Sequence, residues 1–233
     1  MKEKIQISIQ RFDELGSTND YAKEQRKNGK DLIVLAKRQT GGRGTKGRSF
    51  SSLEGGVYLS KLTFYQDFPA VRAFEIMSSA ATAVCKTLVH FGVKPKIKWP
   101  NDIFVADKKI CGILIENTFS GINVGCSVVG IGINVHNALP QELKNIATSL
   151  QEQTGKRFSV DEVADKLIEE LCTVHTIEDY VSFIGYMGER ARILVGEQEQ
   201  LATLLSVDAQ GGLWVLLDGK KQRFTSTEIS VRI

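Results

Sequence analysis

The sequence predicts an α+β fold: a mixed β-sheet flanked by helices over residues 1–186, and a small β-barrel over residues 187–233. Three observations support this. From Lys94 to Val135 four or so short apolar runs are separated by turn residues, which suits a mixed or antiparallel sheet better than a parallel one. Helical spacing is confined to three segments lying between such runs. Past Met187 the runs become short and evenly spaced with glycine turns between them, the pattern of strands that close on themselves.

"KIQISIQRF", from Lys4 to Phe12, alternates apolar and polar residues and reads as a first strand that stops at Glu14-Leu15-Gly16. In the "STNDYAKEQRKNG" that follows, Ser17 or Thr18 caps a helix, Asp20 stands in its first turn and Gly29 lies past its end. Leu32 to Ala36 is a second strand and Val57 to Phe64 a third. Between Ala70 and Phe91 the apolar positions Phe74, Met77, Ala81, Val84 and Leu88 step by three and four, and Gly92 closes this core-facing helix. The strands of the middle turn at Pro100-Asn101-Asp102, Asp107-Lys108 and Ser120-Gly121. Ser159 and Glu162 make a capping box for a helix whose face holds Val163, Leu167, Leu171 and Val174. The last strands are "RILVG", "LATLLSV", "LWVLL" and "ISVRI", with Gly211-Gly212 and Asp218-Gly219 as hairpin turns.

Composition is that of an ordinary globular protein, and a net charge of +3 over 233 residues excludes one that coats nucleic acid through bulk charge. The N-terminus lacks the apolar core of a signal peptide, so a cytoplasmic location is expected. The most apolar helix carries Glu75 and Lys86, so no membrane span is expected. Cys85, Cys111, Cys126 and Cys172 form no CxxC pair and read as buried thiols.

The cations are local. No acid lies between Asp31 and Glu54, while Lys37, Arg38, Arg43, Lys46 and Arg48 crowd one stretch. Within it "GGRGTKGRS", Gly41 to Ser49, departs from a P-loop by one residue, with Arg48 where the lysine belongs. A P-loop must also open directly into a helix, whose N-terminus completes the anion site. Here "SFSSLEGGVYLSKLTF" leads through a turn into a strand, which excludes that reading. A solvated charged face remains one account of the stretch. An anion site, in which glycines let backbone N–H groups approach what the cations attract, is the other.

The loop, "STN" at Ser17–Asn19, "KWPND" at Lys98–Asp102, "KKICGILIE" at Lys108–Glu116 and "GIGINV" at Gly130–Val135 occur in that order. Together they resemble a biotin protein ligase, from about Ser17 to Leu150, and the C-terminal "EISVRI" resembles the end of that family. The resemblance implies a catalytic fold like that of class II aminoacyl-tRNA synthetases, with a C-terminal barrel like Src-homology-3. It also implies a reaction in which ATP and Mg²⁺ convert biotin to an acyl-adenylate that is passed to a lysine of a biotin carboxyl carrier protein.

Carboxylate and triphosphate repel, so such a site needs fixed cations and backbone donors aimed at the charge that builds in the transition state. Arg43, Lys46, Arg48 and Lys109 are the candidates. Lys109, three residues before Gly112, resembles the family's lysine that bridges carboxylate and α-phosphate. By the same resemblance Ser17, Thr18, Asn19 and Gln39 line the ureido ring with backbone around Gly42 and Arg43. Gly44, Thr45 and Phe50 adjoin the same ligand, and Gly112, Ile113, Leu114 and Gly130 flank its chain. Lys98, Asn101 and Asn134 join the cations at the nucleotide, and residues 136–149 match the adenine-side loop. Asp102 faces the incoming acceptor lysine, although an Asn-Asp turn explains it as well. No metal ligand is identified; Mg²⁺ is expected on the ATP phosphates.

Two departures stand out: Phe50 where the family more often has tryptophan, and Thr45 where it commonly has an arginine that retains the acyl-adenylate. Lipoate ligases share the fold but lack the Gly-Arg-rich loop, and a non-catalytic nucleotide-binding module is a further alternative. Only 16 residues precede Ser17, too few for a helix-turn-helix domain, so no operator DNA is expected. The oligomeric state is open and leaves room for a homodimer.

Overall fold

β1 (Ser8–Leu15), α1 (Thr18–Glu24) and β2 (Leu32–Gln39) form a crossover whose strands run parallel. β3 (Gly56–Phe64), α2 (Phe74–His90), β4 (Lys96–Lys98), β5 (Asp102–Val105), β6 (Lys108–Ser120) and β7 (Asn123–Asn134) follow. They complete a seven-stranded mixed sheet in the order β1-β2-β3-β7-β6-β5-β4, antiparallel at every ladder but the first. This computed structural model describes residues 7–196 and 198–232, the side chains of Lys46 and Arg232 excepted. The part of the expected first strand before residue 7 lies outside the described residues.

Ser17, in extended backbone, is the cap of α1, its Oγ accepting from Asp20 N at 3.3 Å. Gly29 ends the following 3₁₀ turn at φ 62°, a left-handed conformation that favours glycine. β2 is buried on both faces because its residues alternate between two layers. Leu32 and Val34 pack with Ala22 of α1, whereas Ile33 and Leu35 join Ala81, Val84 and Leu88 of α2. The four expected central strands are all present.

α3 (Leu150–Thr154), α4 (Val160–Leu171) and α5 (Ile177–Ser182) complete the helices. Ser159 caps α4, but the return bond that would make a capping box with Glu162 is not among its bonds. The reciprocal box forms instead at Thr176 and Asp179 of α5. Val174 is not on the α4 face: the helix ends at Leu171, and Val174 is 89% exposed. Cys172, just past that end, is exposed, unlike Cys85, Cys111 and Cys126. No helix among the described residues is long and apolar enough to cross a membrane.

β8 (Arg190–Val195), β9 (Gln198–Val207), β10 (Leu213–Leu217), β11 (Lys220–Phe224) and β12 (Ile229–Arg232) form an antiparallel sheet in the order β11-β10-β9-β8-β12. Among the described residues β11 and β12 do not pair, so no ladder closes this sheet into a barrel. β11 escapes apolar patterning because it reads "KKQRF"; an edge strand with exposed lysines is common, since the charges discourage further pairing. Asp218-Gly219 is the expected two-residue hairpin, with φ 49° and 74°. Gly211-Gly212 instead belongs to a longer loop, folded around Asp208, whose carboxylate accepts from the backbone N–H groups of Gln210 and Gly212.

The two sheets share one buried core: Ile193, Leu204, Leu213 and Val215 belong to the same cluster as Ile76, Trp99 and Ile113. Trp99 Nε1–H donates to Gly211 O at 3.2 Å, and the Phe74 ring fills the space where a Cβ on Gly211 would stand.

Candidate functional site

Three glycines form the floor of the site. In the β6–β7 ladder Gly112 lies opposite Gly132 and Leu114 opposite Gly130, so all three glycines sit together on adjacent strands. A Cβ on Gly130 would overlap the Asn19 amide, and one on Gly132 would stand 2.5 Å from the Phe50 ring. Their missing side chains let Asn19 and Phe50 lie directly on the sheet.

Lys109 reaches the same floor through a bulge. In the β5–β6 ladder Ile103 opposes Cys111 and Phe104 opposes Lys109, leaving Ile110 without a partner. The extra residue re-aims the strand, so the Lys109 side chain lies over Gly112, where a Cβ would be 3.3 Å from Nζ. Its Nζ is 2.7 Å from Asp102 Oδ1. Lys109 N–H also donates to Ile146 O and its carbonyl accepts from Thr148 N–H, both at 2.9 Å, which ties β6 to residues 136–149. Cys111 nearby is no nucleophile, since full burial pushes its thiol pKa up.

Three of the expected ring-side residues, Thr18, Asn19 and Gln39, belong to one hydrogen-bonded chain, while Ser17 caps α1. Thr18 donates from N–H and Oγ1 to Gln39 Oε1 at 2.8 and 3.0 Å, and Gln39 Nε2 donates to Ser52 Oγ at 2.8 Å. Ser60 Oγ lies 2.8 Å from Thr18 Oγ1 and 2.6 Å from Asn19 Oδ1, and Asn19 Nδ2 donates to Glu116 Oε2 at 2.9 Å. Partial burial pushes the Glu116 carboxyl up, but hydrogen bonds from Lys23 and Asn19 and the charges of Arg43 and Lys23 outweigh it, leaving the pKa lowered. Glu116 is therefore ionised and fixes which way the Asn19 amide points.

Sequence reasoning missed Asp20, Ser52, Ser60, Glu116 and Gly132. Glu116 and Gly132 carried a usable signal. Glu116 follows Gly112 and Leu114 at period two, and Gly132 follows Gly130 in the same way.

The cationic stretch is divided. Lys37 pairs with Asp13 at 2.8 Å and Arg38 with Glu14, so these two belong to the β1–β2 surface rather than to the site. Arg43 Nη2 is 2.6 Å from Asp20 Oδ1 and 3.3 Å from Glu116 Oε2. Arg48 donates to Thr45 O and Oγ1 at 3.3 and 3.2 Å. The Lys46 side chain lies outside the described residues. Gly44 N–H donates to Arg48 O at 2.6 Å and Phe50 N–H to Gly42 O at 2.9 Å, so the loop folds back on itself.

Three cavities meet here. The first, about 40 Å³, brings together Ser17, Thr18, Asn19, Gln39, Arg43 and Phe50 with Asn101, Asp102, Lys109 and the Gly112–Leu114 and Gly130–Gly132 segments. The second, about 260 Å³, lies between the loop, Lys109 and Asn134 on one side and Leu139, Leu143, Ile146 and Ala147 on the other. The third, about 580 Å³, runs from Lys98–Asp102 to Leu194 and Ser230 of the second sheet and to Ser226 in the turn between β11 and β12. Thr45 lines all three, and Gly44, Thr45, Phe50 and Lys109 are common to the first two. Gly42 backs the loop without lining any of these three cavities, its absent Cβ leaving room for Phe50 O and Ser52 Oγ.

Two residues expected at the nucleotide do not line the second cavity. Lys98 lines the third cavity, and Asn101 lines the first and third while its Nδ2 donates to Ile113 O at 2.8 Å. Asn134 does line the second, its amide held by Thr148 O at 3.0 Å and by Asn137 Nδ2 at 3.1 Å. Among the described residues no group of three or more His, Cys, Asp or Glu side chains could hold a metal ion.

The profile of the Biotin/lipoate A/B protein ligase family matches residues 12–134, the span that builds this floor and its loop. The chain belongs to that family. It is 37% identical over 238 residues to the bifunctional ligase/repressor BirA of Bacillus subtilis, covering 94% of this chain and 72% of the relative. With the biotin–[acetyl-CoA-carboxylase] ligase of Mycobacterium tuberculosis it shares 29% identity, covering 88% of this chain and 82% of that one. The fold matches the biotin protein ligase of Aquifex aeolicus in complex with biotin and ATP, with a TM-score of 0.77 and 28% identity over 97% of this family member and 98% of that chain.

Proposed function

We propose that the chain is an ATP-dependent biotin–protein ligase. It joins biotin's carboxylate to the α-phosphate of ATP, giving biotinyl-5′-AMP and pyrophosphate, and passes the biotinyl group to a lysine of a biotin carboxyl carrier protein. One observation carries this reading: Lys109 stands where the first cavity, with its ring-side groups, meets the second. A carboxylate in one and a phosphate in the other share a single ammonium, which offsets their repulsion at the point of bond formation.

Thr18, Asn19 and Gln39, with Ser17 at the head of α1, take the ureido ring in this reading, their orientations set in advance by Ser52, Ser60 and Glu116. Preset groups lose little freedom on binding, so affinity is spent on placing the carboxylate beside Lys109. Phe50 covers the chain of the acid above Gly112 and Gly132. Arg43 and Arg48 face the developing charge, and Leu139, Leu143 and Ile146 give the base an apolar wall. Mg²⁺ enters with the triphosphate as part of that substrate. The chemistry belongs to residues 1–186, while residues 187–233 form a small unit that walls the third cavity. A cytoplasmic location fits a reaction that consumes ATP.

Incubation with biotin, Mg-ATP and a carrier domain should add one biotinyl group to the carrier by intact mass. No adduct sinks the reading, and an adduct with lipoate but not biotin replaces it with lipoate ligation. A thermal shift distinguishes the two acids independently, since a ligand at one hundred times its dissociation constant adds about 2.7 kcal/mol.

A further inference from the structure

The ammonium that must meet two substrate anions is already held by a carboxylate, Asp102, at 2.7 Å. The two partners open onto different spaces. Lys109 lines the first and second cavities, whereas Asp102 lines the first and third. Arg48 and Lys98 also line the third, so a cationic group approaching by that route meets positive charge and, at its end, a carboxylate whose charge Lys109 offsets.

We propose that the Lys109–Asp102 pair is a partner-exchange device that orders the two half-reactions. Substrate carboxylate and phosphate compete with Asp102 for Lys109. Once they hold it, the Asp102 charge is no longer offset, and it receives the ammonium of an acceptor lysine entering through the third cavity. This rests on the ligase reading above. The lysine ammonium gives one proton to Asp102, and the freed lone pair forms a C–N bond to the acyl carbon. The bond from that carbon to the phosphate oxygen then breaks, its electron pair leaving on AMP, and the second proton passes to water. An amine cannot be activated before the adenylate exists, because until then Asp102 is engaged.

Asp102→Asn in the full chain keeps the shape and removes the competing charge, and three assays read the result. In biotin-dependent ATP–pyrophosphate exchange the KM for biotin should fall at least threefold. Hydroxamate formation from hydroxylamine, an amine already uncharged at neutral pH, should rise with it. Transfer to the carrier lysine should fall about a hundredfold. Asp102→Glu, which restores the charge, should recover transfer and lose the gain in KM, and Asp102→Ser serves if Asp102→Asn does not fold. With the unmutated chain, a sulfamoyl analogue of the acyl-adenylate should tighten carrier binding at least tenfold. Partner exchange is overturned if the KM for biotin is unchanged or rises, if hydroxamate and lysine transfer fall together, or if the analogue leaves carrier affinity unchanged. An unmutated chain with no biotin-dependent exchange overturns the ligase reading instead.

Discussion

The two sides of the site are held by different means. On the ring side, Thr18, Asn19 and Ser60 are buried and satisfy one another through short hydrogen bonds anchored on strands and a helix. On the loop side, Arg43 and Arg48 are exposed and are held by local bonds and by ion pairs to Asp20 and Glu116. Exposed pairs contribute about 0–1 kcal/mol each, whereas an orphaned buried polar group costs about 1–3 kcal/mol. In the proposed reading, recognition of the acid is therefore built in, while the cationic loop can rearrange around what arrives.

The largest test of that contrast is Lys109→Ala, which removes the group both sides need. Adenylate formation should fall about 10²–10³-fold, as when one transition-state donor is lost, with little change in melting temperature. Retained biotin-dependent pyrophosphate exchange would break the assignment. Gly130→Ala strikes the rigid side: its Cβ would overlap Asn19 Oδ1, and the buried network has no slack. Overpacking should cost about 1–3 kcal/mol in chemical denaturation and weaken biotin binding by calorimetry about a hundredfold. A normal titration curve would show that the ring side adapts after all.

A loop with its own anchor sharpens the comparison. Asp208 accepts from Arg223, Trp214 and two backbone N–H groups, and these bonds, Arg223 foremost, pull its carboxyl down to about 2 against a push upward from partial burial. Because the folded value lies below the ordinary 3.8, the stabilisation is complete above that value and is lost as pH falls through about 2. Asp208→Asn should cost about 1–2 kcal/mol at pH 7, a figure discounted for solvent screening, and the gap from the unmutated chain should narrow between about pH 4 and pH 2. Urea midpoints across that range check it.

Thr45→Arg, on the unanchored loop, should have the smallest effect. It should leave stability within about 0.5 kcal/mol and slow acyl-adenylate release about threefold in reactions stopped without acceptor. Unchanged release would show that Thr45 does not set retention.

Much of this was legible in the chain, for reasons that differ by element. β2, β3 and α2 follow from apolar spacing because each buries a long face. β11 does not, since "KKQRF" is an edge strand with nothing to bury. The resemblance to a family groups Thr18, Asn19 and Gln39, which the structure brings together, but it does not point to Ser60, 41 residues from Asn19. Such a contact is set by strand register across the sheet, which local pattern does not encode. Lys37 and Arg38 were grouped with the loop by sequence proximity, although parallel pairing with β1 supplies their carboxylates.

Trp99 is a mechanical coupling. Its indole is tied to Gly211 in the loop between β9 and β10, and three residues later the chain reaches Asp102. If Asp102 acts as proposed, substitutions that disturb the loop around Gly211 should alter acyl transfer through this tie, and a screen for better turnover need not confine itself to positions near the reacting atoms.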